Sequence, residues 1–465
     1  MKLTRQILAT IGALIVILSV LSCKDSSKQE PPVTQNDSCY NDRPNNDTLS
    51  IIIYKNGMTP QDSIFLSNLG LKKSFTCPCD SNLQLWGDTT GISIFGHDGV
   101  AHAGDRGNRG GTDGPIVKMK FQISPNYILR TNDAPLIGWN NKSRIQMFPP
   151  VNGSTNLIGV MDSGIQSNNL WTNGEDVLDN VDNDRNGLLN DFHGWNFIDN
   201  SKEVYTDNTD HSHGSMVTHL IERELELIDQ NYRIIPMVIL DKNKEGRLFN
   251  MACAMTYALK ISEKANLKTI NASVGYYGQP NTILDNIIGK LQKKNIMLVT
   301  AAGNADSSDI CEKDDPRDLT KRKHKFYPAS YAKKYSNVIS VTTVFFKEKS
   351  SLEVAPNQNY SSNLNGSVYV DIGVMGDSAW KFGPFLVYTE GNNDTTRQSS
   401  YGTSLAAPIV TAYSFLKQIR QTNTNKANKD LIFPDGETKN YKYLSPPSNT
   451  LSAKIKEGKV LIKKE

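Results

Sequence analysis

Four residues of this 465-residue chain stand where chemistry is easily built: Asp162, His213, Asn304 and Ser404. Asp162 follows the apolar run 157-LIGVM-161 and opens Asp162-Ser163-Gly164. His213 precedes Gly214 in 210-DHSHGSMVTHLIERELE-226, at the apparent start of a helix. Asn304 follows 296-IMLVTAA-302 and Gly303. Ser404 follows Gly402-Thr403 and precedes small apolar residues in 401-YGTSLAAPIV-410. A serine hydroxyl becomes a nucleophile when a base takes its proton, and imidazole is suited to that exchange near pH 7. A carboxylate can orient the imidazole, and an Asn amide can donate to an oxyanion. Each residue also has an ordinary reading. Ser404 could cap a helix starting at Leu405, and Asp162-Ser163-Gly164 and Gly303-Asn304 read as turns. His211, His213 and His219 crowd together, but spacings of two and six do not put two ligands on one helix face, so zinc is not expected.

The elements that would position these residues form a regular pattern. Apolar strand-like runs at 157–161, 234–240, 268–274, 296–302 and 338–344 alternate with helical stretches at 249–265, 281–294 and 405–420. Buried strands alternating with helices predict an α/β fold with a mostly parallel central sheet covered on both faces. Sites in such sheets lie beyond the carboxyl ends of the strands, where Asp162 and Asn304 stand.

The order Asp, His, Asn, Ser is that of subtilisin, and the flanks match too. The chain resembles the subtilisin-like serine peptidases, the subtilases, over about Ile158 to Leu416. Its 160-VMDSGI-165, 213-HGSMV-217, 299-VTAAGN-304 and 402-GTSLAAP-408 look like the family's Asp, His, Asn and Ser motifs. Met216 and His219 stand where the family usually has His and Gly, and 373-GVMG-376 replaces a common Ala-Pro-Gly turn. The resemblance implies a three-layer domain over 151–465. It implies an endopeptidase in which Ser404 attacks, His213 is the base and Asp162 orients it. Asn304 and the Ser404 N–H would stabilise the oxyanion. It further implies a peptide substrate bound as a strand between Ser273, Val274, Gly275 and Ala301, Ala302, Gly303. Tyr276 and Tyr277 are expected to narrow an outer subsite. The alternative is an idle peptide-binding protein on the same scaffold.

The rest of the chain adds context. Lys2 and Arg5 precede an apolar run from Ile7 to Leu21 that ends at Ser22-Cys23. Residues 1–23 read as an export signal, with a membrane anchor as the rival. The ending 20-VLSC-23 resembles a bacterial lipobox, which implies lipidation of Cys23 and a membrane anchor. Residues 24–48 read as a tether. Residues 49–129 read as a small α+β unit: a strand at 49–57, a helix at 59–70, a strand near 83–86, a glycine-rich loop at 96–114 and a strand at 117–123 running into 124–129. It resembles the inhibitory prosegments that precede subtilase domains, with a retained accessory domain as the rival. A cut is expected in the linker 130–150, which would leave the prosegment behind unless the two stay bound. Asp182, Asp184, Asn186 and Asp191 follow a calcium-loop pattern with Gly187 at the turn, and a solvated Asx-rich turn is the alternative. Cys39, Cys77, Cys79, Cys253 and Cys311 allow at most two pairs, with no structural metal on cysteine expected. A net charge of +3 gives no reason to expect nucleic acid as a partner.

Overall fold

The structure is a computed structural model that describes residues 46–54, 58–68, 71–88, 122–131, 155–167, 169–176, 179–205, 212–226, 231–305, 315–322, 324–348, 351–362, 368–378, 383–388, 397–420, 427–432, 436–444 and 449–464. These belong to one compact unit, Tyr40–Glu465. The expected export signal with Cys23, most of the tether, Cys39, Cys311, the loop 96–114 and most of the linker 130–150 lie outside the described residues.

Among the described residues the central sheet has ten strands. Its middle is parallel: β5 (Asn156–Asp162) lies between β7 (Tyr232–Val238) and β9 (Asn266–Ala272), and β11 (Met297–Ala301), β13 (Val338–Glu348) and β15 (Ile372–Met375) follow in order. The strand β6 (Trp195–Asn196) edges one side. On the other side β19 (Val460–Lys463) runs parallel to β15 and β18 (Tyr441–Leu444) antiparallel to β19. The short β14 (Ser351–Val354) turns back on β13.

The reason apolar residues can occupy consecutive positions of a central strand is visible in β5. Leu157 and Met161 face one core, while Ile158 and Val160 face the other. Period-two alternation thus buries both faces. The first core is closed by α3 (Leu248–Ile261) and α4 (Thr282–Lys293), the second by α2 (Ser212–Leu225) and α5 (Thr403–Arg420). In α4 the residues Ile283, Leu284, Ile287, Ile288 and Leu291 form one buried stripe. Asn281 caps that helix by accepting from the N–H groups of Ile283 and Leu284, both at 3.0 Å. The α/β three-layer arrangement is the one expected from sequence.

The N-terminal segment forms a second, antiparallel sheet. It contains β1 (Asn46–Tyr54), α1 (Pro60–Asn68), β2 (Leu71–Cys77), β3 (Asp80–Asp88) and β4 (Gln122–Arg130). The order is β2-β3-β1-β4, and β4 then pairs with β8 (Glu245–Arg247) of the large domain. This sheet packs on α3: Phe75 meets Phe249 edge-on at 5.9 Å, and Ile52 and Leu83 share a core with Leu248 and Met251. A disulfide joins Cys77 to Cys253 of α3. The strand β4 continues through 124-SPNYIL-129 to Arg130, so this stretch is ladder-bonded, and Thr131 follows it.

Candidate active site

Three strand and helix ends bring Asp162, His213 and Ser404 together. Asp162 is the last residue of β5, His213 lies in the first turn of α2, and Ser404 in the first turn of α5. His213 Nδ1 is 2.6 Å from Asp162 Oδ1, and His213 Nε2 is 3.1 Å from Ser404 Oγ. A carboxylate only accepts, so Nδ1 carries the proton and Nε2 is left to accept from the Ser404 hydroxyl. Asp162 Oδ1 also accepts from the Ser163 N–H at 2.7 Å. Gly214 lets α2 approach this closely. Its N–H donates to Ser163 Oγ at 2.9 Å, and a Cβ there would lie 2.5 Å from the Ser163 carbonyl oxygen. This chain of contacts can pass a proton from a serine hydroxyl to an imidazole held in one tautomer.

Ser404 is not the N-cap that one reading allowed, because α5 begins at Thr403. Its carbonyl oxygen has an unusual partner. Pro408, four residues on, has no N–H to give it. Ser273 Oγ donates to it instead, at 2.6 Å, and Asn271 Nδ2 donates to Ser273 Oγ at 2.9 Å. The start of α5 is thereby pinned to the end of β9.

Asn304 has its amide orientation fixed from behind. Its Oδ1 accepts from the Thr403 N–H at 3.1 Å and from Thr403 Oγ1 at 3.2 Å. Its Nδ2 therefore faces away from Thr403 and donates to the Thr131 carbonyl oxygen at 3.3 Å. Gly303 has φ 90°, and a Cβ there would lie 2.7 Å from Phe326. Tyr277 Oη donates to the Asn304 carbonyl at 3.0 Å and accepts from Asn359 Nδ2 at 2.7 Å. Thr403, Tyr277 and Asn359 were not singled out from sequence as supports of Asn304. Their contacts join segments 27 to 99 residues apart, which no local pattern shows.

Among the residues expected to line a strand-binding groove, Gly275 pairs with the chain's own β4. Arg130 and Gly275 exchange backbone hydrogen bonds, at 2.9 Å from the Arg130 N–H and 3.3 Å from the Gly275 N–H. Arg130 is thus held between β8 and residue 275, as a third strand. Val274 and Ala301 point into the two cores, and Ala302 packs with Tyr277 and Phe326. Ser273 serves the Ser404 carbonyl, as above. Tyr276 is fully buried and stacks on Tyr127 of β4 at 4.2 Å and 9°. With β4 and Thr131 in place, Asp162 and Ser404 are 0% exposed and His213 1%.

The expected cation ligands are also partly assembled. Asp184 and Asp191 are buried, and the amides of Asn186 and Asn173 bridge them. Asp176, also buried, accepts from the Asp191 N–H at 3.0 Å. Asp182 instead accepts from the Asn186 and Gly187 N–H groups, both at 3.0 Å, which is a turn role. The Lys264 ammonium is 3.8 Å from Asp184. Burial pushes the Asp191 carboxyl up to about 8 and raises that of Asp184. These carboxylates are already met by the amide N–H groups of Asn173 and Asn186 and by the Lys264 ammonium, so a hard cation seated on their oxygens would have to displace those donors. Asn173 and Asp176 precede the sequence pattern and were not read as part of it.

Comparison with known proteins identifies the family and the fold. The family model described as Subtilase family (Peptidase_S8) matches residues 153–433, more than half of the chain. The chain is 28% identical over 278 residues to Subtilisin-like protease 1 of Plasmodium falciparum (isolate 3D7), covering 56% of this chain and 36% of that protein. It is 26% identical over 271 residues to Subtilisin-like protease 1 of Plasmodium berghei (strain Anka), covering 55% and 41%. The chain thus spans roughly two-fifths or less of these relatives' length. Among solved structures it is similar to fervidolysin from Fervidobacterium pennivorans, a keratinolytic enzyme related to subtilisin. The TM-score is 0.51 at 15% identity, over 82% of this chain and 56% of that one.

Proposed function

The chain belongs to the subtilase family, and from that premise we propose that it is a serine endopeptidase whose N-terminal sheet is its own inhibitor. The observation that carries the reading is His213, buried between Asp162 at 2.6 Å and Ser404 at 3.1 Å. In the reaction, Ser404 Oγ attacks the scissile carbonyl as its proton moves to His213 Nε2. Asp162 holds the Nδ1–H tautomer and stabilises the imidazolium. The carbonyl oxygen becomes an oxyanion that accepts from Asn304 Nδ2 and from the Ser404 N–H. First-turn N–H groups of a helix point outward, toward such an anion. His213 then returns the proton to the leaving amine, and water repeats the sequence on the acyl group.

The strand-like seat of β4 supports the reading of residues 49–129 as a prosegment, and the described part of that unit extends over 46–131. Arg130 bonds to Gly275 as an added strand would, and the Thr131 carbonyl accepts from the proposed oxyanion donor. The bond to be cut lies immediately after Thr131 or Asn132. Calcium is proposed at Asp184, Asp191, Asp176 and Asn186, where it would neutralise buried carboxylates and brace the loop. Export and lipidation at Cys23 are proposed on 20-VLSC-23. Loss of metabolic lipid labelling in Cys23→Ala would support them, and unchanged labelling would not.

The test of the activity is labelling by a fluorophosphonate. The processed wild type should be labelled on Ser404, and Ser404→Ala should not. His213→Ala should label at least a hundredfold more slowly. Equal labelling of wild type and Ser404→Ala would end the proposal.

A further inference from the structure

The segment that covers the cleft is held in two ways. Its non-covalent contacts are the β4–β8 ladder, the Arg130–Gly275 pair and the faces packed on α3. Its covalent contact among the described residues is the disulfide from Cys77, at the end of β2, to Cys253, inside α3. These two cysteines are 176 residues apart, and the proposed cut falls between them. Hydrolysis there divides the backbone but not the molecule.

We propose that the Cys77–Cys253 disulfide keeps residues 46–131 fastened over the Asp162–His213–Ser404 cleft after the backbone is cut, so that the peptidase is freed only when that bond is opened by thiol–disulfide exchange. The inference rests on the reading of this segment as a prosegment. A severed but tethered strand rebinds as an intramolecular ligand, at an effective concentration far above that of a free fragment. Both sulfur-bearing residues are 1% exposed, so an outside thiol reaches them poorly while the sheet is docked. The third cysteine strengthens the argument. Cys79 is buried, with its sulfur within 4.8 Å of the other two. Since Cys79 lies in the same segment as Cys77, a bond from either to Cys253 fastens the same two parts. Among the described cysteines, only a Cys77–Cys79 bond, or full reduction, lets α3 go.

The chemistry balances in both cases. If the Cys79 thiolate attacks the Cys77 sulfur, the Cys77–Cys79 bond forms and Cys253 leaves as a thiolate that takes up a proton, with no net oxidation. If an external dithiol attacks, it forms a mixed disulfide and then closes on itself. The dithiol is oxidised by two electrons, and Cys77 and Cys253 are both released as thiols.

The test separates the fastening from the peptidase activity. A recognition site for a heterologous peptidase is placed between residues 133 and 150 of the full chain, in Ser404→Ala and in the active form. After cutting, denaturing electrophoresis without reductant should show one species at the uncut mass, and dithiothreitol should divide it in two. Cys253→Ser should give two species either way. Peptide mapping of the unreduced, alkylated protein should find the Cys253 peptide linked to the one carrying Cys77 and Cys79, a result that needs no variant to fold. In the active form, hydrolysis of a fluorogenic peptide after cutting should rise at least tenfold on adding dithiothreitol, and cut Cys253→Ser should need none. Two species from oxidised Ser404→Ala, an alkylated free Cys253, or full activity in the cut, oxidised, single-species chain would overturn the inference. A chain that shows the fastening but cleaves no peptide, even when reduced, would contradict the proposed function and leave the fastening intact.

Discussion

Asn304 Nδ2 donates to the Thr131 carbonyl oxygen at 3.3 Å. The donor proposed for the oxyanion thus already serves a carbonyl of the chain itself. Removing it tests the role directly. In the processed enzyme, Asn304→Ala should lower kcat about 10²- to 10³-fold with KM nearly unchanged, as for an interaction made in the transition state. Steady-state kinetics on a fluorogenic peptide would check it. A rise in KM at constant kcat would assign Asn304 to substrate binding instead.

The link between Pro408 and Ser273 gives a prediction about stability. Ser273→Ala removes the hydroxyl that donates to the Ser404 carbonyl. A buried carbonyl left without its donor costs about 1–3 kcal/mol. Pro408→Ala restores an N–H four residues after Ser404. The cost of Ser273→Ala should therefore be smaller in the Pro408→Ala background. Urea unfolding of the two singles and the double would measure this, and strict additivity would show that the two do not share the carbonyl.

Much of the site was legible in sequence because each proposed catalytic residue stands at the end of a strand or the start of a helix whose apolar pattern is strong. Asp162 ends a run in which alternate residues face two cores, and Ser404 opens a helix of small residues. The strand Leu71–Cys77 was missed because its middle, Lys72 to Phe75, is exposed and carries no alternation. The strand Glu245–Arg247 is three residues long and exists through its pairing with β4. The bond from Cys77 to Cys253 depends on docking two distant segments, which local pattern cannot encode. Nor could sequence foretell that Val274 and Ala301 face the cores, because apolar residues beside a cleft read like apolar residues within a core.

His219 lies six residues after His213 on α2 and is largely buried. Burial, reinforced by the nearby Arg223 charge, pushes its imidazole down to about 4. The unfolded chain, with an ordinary value of about 6.5, binds this proton first as pH falls. The contribution is therefore complete above pH 6.5 and is lost progressively down to pH 4, by up to about 3 kcal/mol. His219→Gln should flatten the fall in stability across that window, as read by urea midpoints at several pH values. An unchanged slope would contradict this.

The cation proposal predicts that a chelator lowers the Tm of the wild type and that added calcium restores it. Asp184→Ala should have a lower Tm at the start and respond to neither addition. Differential scanning calorimetry on Ser404→Ala, which avoids self-digestion, would record it. A wild-type Tm indifferent to both additions would show that the amides of Asn173 and Asn186, with Lys264, satisfy the carboxylates unaided.

The central claim, a peptidase that cuts away its own N-terminal sheet with Ser404, is tested most directly by the reduced mass of the full chain over time, wild type beside Ser404→Ala. The account predicts that the wild type gains a fragment whose new N-terminus is Asn132 or Asp133, while Ser404→Ala stays whole. The same fragment appearing in Ser404→Ala, at the same rate, would contradict it.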